Sequence, residues 1–154
     1  MAENIFDVKR LKDTKGRILS VDFGDTRTGL AVSDPSRFLA SGIGTISPGG
    51  IEKTANKVAE IAQEQRATSI VVGLPKNMDG TEGFRAQRCV EFAELLASLL
   101  PDATIVMMDE RLTTVSASRY LNETNTRGSK RKGVIDTLSA EIILQNVLDK
   151  LKFL

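Results

Sequence analysis

Four acidic residues carry the chemistry that this sequence could perform. Asp22 ends the first apolar run, Asp109 and Glu110 follow the last one, and Asp136 lies in the first turn of the final predicted helix. Active sites of open α/β sheets form outside the carboxyl ends of parallel strands. We therefore expect these acids, remote from one another in sequence, to meet at one edge of a sheet.

A divalent cation would offset the repulsion between acids gathered in this way. Two carboxylates ~4–5 Å apart repel by roughly 3–4 kcal/mol at an effective dielectric constant near 20. Oxygen donors favour Mg²⁺ or Mn²⁺ over zinc, and two such ions could activate a water molecule and stabilise the leaving oxygen of a phosphodiester. We predict that all four acids are catalytic residues and candidate ligands of two metal ions. The sequence leaves open which of Asp109 and Glu110 is the metal ligand.

Each acid also has a simpler interpretation. Asp22 could pair with Arg27 or cap a turn, and Asp109 or Glu110 could form a salt bridge with Arg111. Asp136 could simply stabilise the N-terminus of a helix through the helix dipole.

Composition narrows the chemistry further. The chain has 154 residues, no histidine and one cysteine, Cys89. This excludes a Ser-His-Asp triad, a Cys-His dyad, a histidine-ligated zinc and an intrachain disulfide. We expect a cytoplasmic protein, because neither a signal peptide nor a membrane-spanning run is visible. The 21 Lys and Arg nearly balance the 20 Asp and Glu, so binding to nucleic acid would require a local basic patch.

The pattern of apolar residues predicts one α/β domain over residues 17–154, after a loosely ordered, charged extension over residues 1–16. Strands 1, 4 and 5 should be parallel because their crossovers contain helices, and strand 2 should pair with strand 1 as a hairpin. We expect a five-stranded mixed sheet of order 3-2-1-4-5 with helices on both faces. The strands are predicted over residues 18–23, 28–34, 39–46, 69–72 and 103–108, and the helices over 51–65, 86–100, about 114–122 and about 133–152.

Basic and polar residues near the same edge are candidates for binding substrate. The polar segment 123–132 should be mobile and able to close over a phosphate backbone, although it could be only a solvated linker. With no tryptophan and one tyrosine, we expect recognition of backbone and shape rather than of base identity. The predicted substrate-binding residues are Arg27, Lys76, Asn77, Arg111, Arg127, Lys130, Arg131 and Lys132.

Four ordered motifs, which together span most of the chain, resemble those of the YqgF/RuvX family. They read DFGDTRTGLAVSD from Asp22, VGLP and NMDGTE from Val72, DERLTT from Asp109, and KGVIDTLSA from Lys132. Two features depart from the family pattern. Ser139 stands where an alanine is common, and the first motif carries Asp25 and Thr28.

The resemblance implies an RNase H-like fold and a metal site at Asp22, Asp109 or Glu110, and Asp136. It also implies a nuclease that matures the 5′ end of precursor 16S rRNA or resolves Holliday junctions. The expected partners are therefore structured RNA, within ribosomal precursor particles, or branched DNA, for a monomer or a homodimer.

Two other functions remain open at this stage. The chain could be an RNA-binding module that does not cleave, in which case binding would depend on Arg127, Lys130 and Arg131. It could also be a nucleotide phosphotransferase, since its first motif resembles a phosphate loop of actin-like and sugar-kinase proteins. Those proteins are usually much longer, so we favour the nuclease.

Overall fold

A computed structural model describes residues 7–75, 83–109 and 128–154, with side chains from 136 onward in the last range. Within these described ranges, a short 3-10 helix precedes five strands and three α-helices. The elements are the 3-10 helix Val8–Asp13, β1 Arg17–Asp22, β2 Thr28–Ser33, β3 Ala40–Ile46, α1 Ile51–Glu64, β4 Ala67–Leu74, α2 Phe84–Leu99, β5 Thr104–Asp109 and α3 Gly128–Leu151.

The strands form one mixed sheet of order β3-β2-β1-β4-β5. β2 is antiparallel to β1 and to β3, whereas β1, β4 and β5 run parallel. The predicted topology is therefore confirmed, and the five predicted strands agree with the structure to within two residues at either end. In the described residues, no helix has the length and apolarity needed to cross a membrane.

Two apolar clusters cover opposite faces of the sheet. On one face, α1 and α2 pack against alternate strand residues such as Leu19 and Val21. On the other face, α3 and the 3-10 helix pack against the intervening residues, including Ile18. Because side chains alternate along a strand, the position of each residue in β1 determines the helices that it meets.

The prediction of a loosely ordered N-terminal extension is wrong for its described part. Val8 and Leu11 are buried in the cluster beneath α3, and their spacing of three residues matches the repeat of a 3-10 helix. Arg37 donates hydrogen bonds to the carbonyl oxygens of Leu11 and Gly16 and so stabilises the end of this helix and the segment that follows it. The high charge of the segment concealed the two apolar residues that anchor it.

The last helix begins earlier than predicted. α3 starts at Gly128, so residues 128–132 of the predicted mobile segment are helical, which suits the good helix propensity of lysine and arginine. The rest of that segment, and the helix predicted over about 114–122, lie outside the described residues.

Candidate active site

The close packing of α3 on β2 brings the backbone of Asp136 beside Gly29, the residue that pairs with Asp22. Asp22, the last residue of β1, pairs across the hairpin with Gly29. A Cβ atom added to Gly29 would lie 2.0 Å from the carbonyl oxygen of Asp136, so only glycine permits this approach. Two residues before Asp22, Ser20 donates a hydrogen bond of 2.8 Å to the carbonyl oxygen of Ala140, one turn after Asp136. Both acids therefore lie at the carboxyl end of β1, on the face covered by α3.

Arg27 forms an ion pair with Asp136. Its Nε donates to Oδ2 of Asp136 at 2.7 Å, and the two side chains are 38% and 19% exposed, respectively. The turn that carries Arg27 is tight, because a Cβ atom on Gly24 would lie 2.5 Å from the carbonyl oxygen of Arg27. Arg27, predicted to bind substrate, is thus directed at one of the predicted metal ligands.

The same turn is tied to α2 by a second arginine. Arg88 donates to the carboxylate of Asp25 at 2.9 Å and to that of Glu91 at 3.2 Å. Its hydrogen bond with Asp25 raises the pKa of the Arg88 guanidinium. The negative charge that Asp25 adds to this loop therefore has a cation beside it. The contact of Arg88 with this turn is not predictable from the sequence, because no spacing in the sequence relates a residue of α2 to the β1–β2 turn.

Asp109 lies at the same edge of the sheet as Asp22 but belongs to the opposite face of the sheet. Ile105 and Met107 of β5 belong to the cluster beneath α1 and α2. Asp109 lies two residues after Met107 and so belongs to the same face of the sheet. Asp22 lies four residues after Ile18, which faces α3, and so belongs to the opposite face. Alternation therefore assigns the two carboxylates to different faces of the sheet.

The predicted group of four acids is described only in part. Within the side chains that the structure describes, no group of three or more Asp, Glu, His or Cys is placed to hold a metal ion. Lys130, Arg131 and Lys132 lie on the backbone of α3 shortly before Asp136, but their side chains are not described. The other predicted site residues, Lys76, Asn77, Glu110, Arg111 and Arg127, lie outside the described residues.

The described donors nevertheless fit a hard cation. Asp22 and Asp136 supply carboxylate oxygens, the donor type that Mg²⁺ and Mn²⁺ prefer. Asp136 already attracts a positive charge, the guanidinium of Arg27, and remains partly accessible to solvent. The donor chemistry of these two side chains is therefore compatible with a divalent cation at the edge of the sheet where the parallel strands end.

Comparison with solved structures identifies the class of fold. The chain matches Thermus thermophilus RuvC in complex with a Holliday junction substrate with a TM-score of 0.53 at 11% identity, over 88% of this chain and 96% of that chain. It matches the fowlpox virus Holliday junction resolvase with a TM-score of 0.56 at 10% identity, over 87% and 99% of the two chains. This similarity, together with the order of the sheet, shows an RNase H-like fold.

Comparison of sequences identifies the family. The chain is 45% identical over 136 residues to a Ruminiclostridium cellulolyticum protein named "Putative pre-16S rRNA nuclease", covering 88% of this chain and 95% of that protein. It is 42% identical over 138 residues to a Staphylococcus carnosus protein of the same name, covering 88% and 97%. The family model described as "RuvX: Holliday junction resolvase" matches residues 16–150. The chain belongs to the RuvX family.

Proposed function

We propose that this protein is a divalent-metal-dependent endonuclease that hydrolyses phosphodiester bonds in structured nucleic acid, with precursor 16S rRNA as its substrate. The observation that carries the proposal is the contact between Gly29 and the backbone of Asp136, which brings Asp136 beside the end of β1. The names of the related proteins support the choice of rRNA. This substrate implies action in the cytoplasm, on ribosomal precursor particles.

Asp22 and Asp136 would hold Mg²⁺ or Mn²⁺, two ions in all, together with an acid that follows β5. When bound, the ions supply positive charge at the scissile phosphate and lower the pKa of the attacking water. The protein's own part is to fix the carboxylates before substrate arrives, and Gly29 does this by setting the distance between β2 and α3. Such preorganisation avoids rearrangement of charges during the reaction.

Glu110 is our choice for the acid that follows β5. Alternation along β5 assigns Asp109 to the face of the sheet that α1 and α2 cover. Alternation therefore separates Asp109 from Asp22, which belongs to the face covered by α3. We therefore assign Glu110 to the metal site and Asp109 to a supporting position at the same edge.

Basic residues near the acids would bind the substrate backbone. Lys130, Arg131 and Lys132 occupy the first turns of α3, and Asp136 follows Lys132 by about one turn. Basic residues can bind a substrate backbone by neutralising its phosphates. We propose the same role for four further residues, Lys76, Asn77, Arg111 and Arg127.

Resolution of a Holliday junction is the second candidate, because the family model carries that description. A resolvase must cut two strands and so needs two active sites, which implies a homodimer. A ribonuclease can act as a monomer. The two functions therefore differ in substrate and in oligomeric state, and both can be measured on one preparation.

The test compares cleavage of precursor 16S rRNA and of a four-way DNA junction, side by side, with Mg²⁺ or Mn²⁺. Asp22→Asn and Asp136→Asn should each reduce cleavage by about 100-fold or more, the scale of losing one preorganised charge. Asp149→Asn, a change of the same kind at the exposed end of α3, should leave cleavage intact.

Three results would count against parts of the proposal. Full activity of Asp22→Asn or Asp136→Asn would exclude this mechanism. Cleavage of the junction alone would favour the resolvase. Tight RNA binding without turnover under either ion would instead favour an RNA-binding module.

A further inference from the structure

The ion pair between Arg27 and Asp136 occupies one of the two oxygens of a carboxylate that the proposed function assigns to metal binding. The bond joins Nε of Arg27 to Oδ2 of Asp136 at 2.7 Å. The Asp136 side chain is only 19% exposed, so solvent screens this pair less than it screens a pair on the open surface. The guanidinium of Arg27 therefore places a positive charge directly against the Asp136 carboxylate.

Both partners of the pair are held by their surroundings. Gly24 allows the tight turn that carries Arg27, and Gly29 allows the backbone of Asp136 to approach β2. The ion pair between Asp25 and Arg88 ties the same turn to α2. The ion pair is therefore more constrained than a pair between two flexible surface side chains, which commonly contributes little to stability.

We propose that Arg27 is an internal counter-cation, which occupies Asp136 until a divalent ion binds and then turns to a phosphate of the substrate. The inference rests on the proposed function, because it assumes that Asp136 is a metal ligand. Two cations on one carboxylate oxygen repel each other, so Arg27 must leave Oδ2 when that oxygen binds a metal ion. A released guanidinium is well suited to a phosphate, which it can bind through two parallel hydrogen bonds.

This exchange would couple metal binding to substrate binding. While Arg27 holds Asp136, the affinity of the site for metal is reduced, because the ion pair must first be broken. A phosphate that captures Arg27 removes this competition and so raises the affinity for metal. Linkage requires that the metal in turn raises the affinity for the phosphate by the same factor.

The first experiment measures Mn²⁺ affinity by calorimetry for the wild-type protein and matched variants. Arg27→Gln should bind Mn²⁺ about fivefold more tightly, the scale of one partly exposed ion pair. Arg27→Lys, which keeps the charge, should show a smaller gain. Arg85→Gln removes an exposed arginine charge from the first turn of α2, and should stay within about twofold of wild type because exposed charges are screened.

The second experiment observes the exchange directly. The Nε–H resonance of Arg27 is followed by NMR while Mg²⁺ is added. It should move from a position typical of a hydrogen bond to a carboxylate towards that of a solvated guanidinium, and Asp136→Asn should show the second position from the start. This measurement does not depend on cleavage, and it reports the wild-type protein without relying on a variant that could fold poorly.

The outcomes separate the inference from the proposed function. If the wild type cleaves nucleic acid and binds Mn²⁺, but Arg27→Gln binds Mn²⁺ no more tightly and the Arg27 resonance does not move, the counter-cation role is wrong and the nuclease stands. If neither the wild type nor Arg27→Gln binds Mn²⁺, both are wrong.

Discussion

Ser139 is a buried residue whose hydroxyl has no hydrogen-bond partner in the described structure. It lies one turn after Asp136 on α3 and is 1% exposed. Burying an unpaired hydroxyl costs about 1–3 kcal/mol. We expect Ser139→Ala to raise the free energy of unfolding by about 1 kcal/mol, as measured by urea denaturation.

The matched control for this change is Ser98→Ala. Ser98 lies near the end of α2, is exposed, and donates to the carbonyl oxygen of Leu95 at 2.7 Å. Both substitutions introduce the better helix former, but Ser98→Ala also removes an exposed hydrogen bond, so Ser139→Ala should be the more stabilising of the two. A loss of stability in Ser139→Ala would show that this hydroxyl gains a partner in solution and would contradict the prediction.

At the scale of elements, the packing of α3 on the sheet depends on two glycines that differ in what they meet. A Cβ atom on Gly29 would lie 2.0 Å from a backbone oxygen, that of Asp136, whereas one on Gly42 would lie 2.6 Å from the side-chain methyl of Thr137. A side chain can shift more readily than the backbone of a helix. The two positions therefore offer a direct comparison of the same substitution.

We expect Gly29→Ala to lower the free energy of unfolding by about 3 kcal/mol, the upper range for overpacking, and Gly42→Ala by about 1 kcal/mol. Urea denaturation measures both. Gly29→Ala should also weaken Mn²⁺ binding, because it pushes Asp136 away from β1. Equal losses of stability in the two variants would show that the contact at Gly29 is not the tighter one.

The elements also show where prediction from sequence succeeds and where it fails. The strands are predictable because their apolar runs are short and end at glycine, proline or charged residues, such as the Gly24 that follows β1. The start of α3 at Gly128 was missed because its first turns carry no apolar stripe. The 3-10 helix was missed because only Val8 and Leu11 in it are buried.

For the molecule as a whole, the order of the sheet is predictable because helical crossovers join parallel strands and a hairpin pairs β2 with β1. That rule also places Asp22 and Asp109 at one edge. It does not determine which face of the sheet each side chain belongs to, because that depends on the position of the residue within its strand. The pairing of Arg27 with Asp136 was beyond prediction, because it depends on how closely α3 approaches β2.

We expect the N-terminal segment to unfold together with the sheet. Leu11 is 0% exposed in the cluster that also holds α3, so Leu11→Ala should cost about 2–5 kcal/mol through lost burial and a cavity. Lys9→Ala changes an exposed residue of the same 3-10 helix and should stay within about 0.5 kcal/mol of wild type. Urea denaturation monitored by circular dichroism measures both changes in stability, and a single unfolding transition is expected. An unchanged midpoint for Leu11→Ala would mean that residues 8–13 are not docked on the sheet, and that the domain begins at β1.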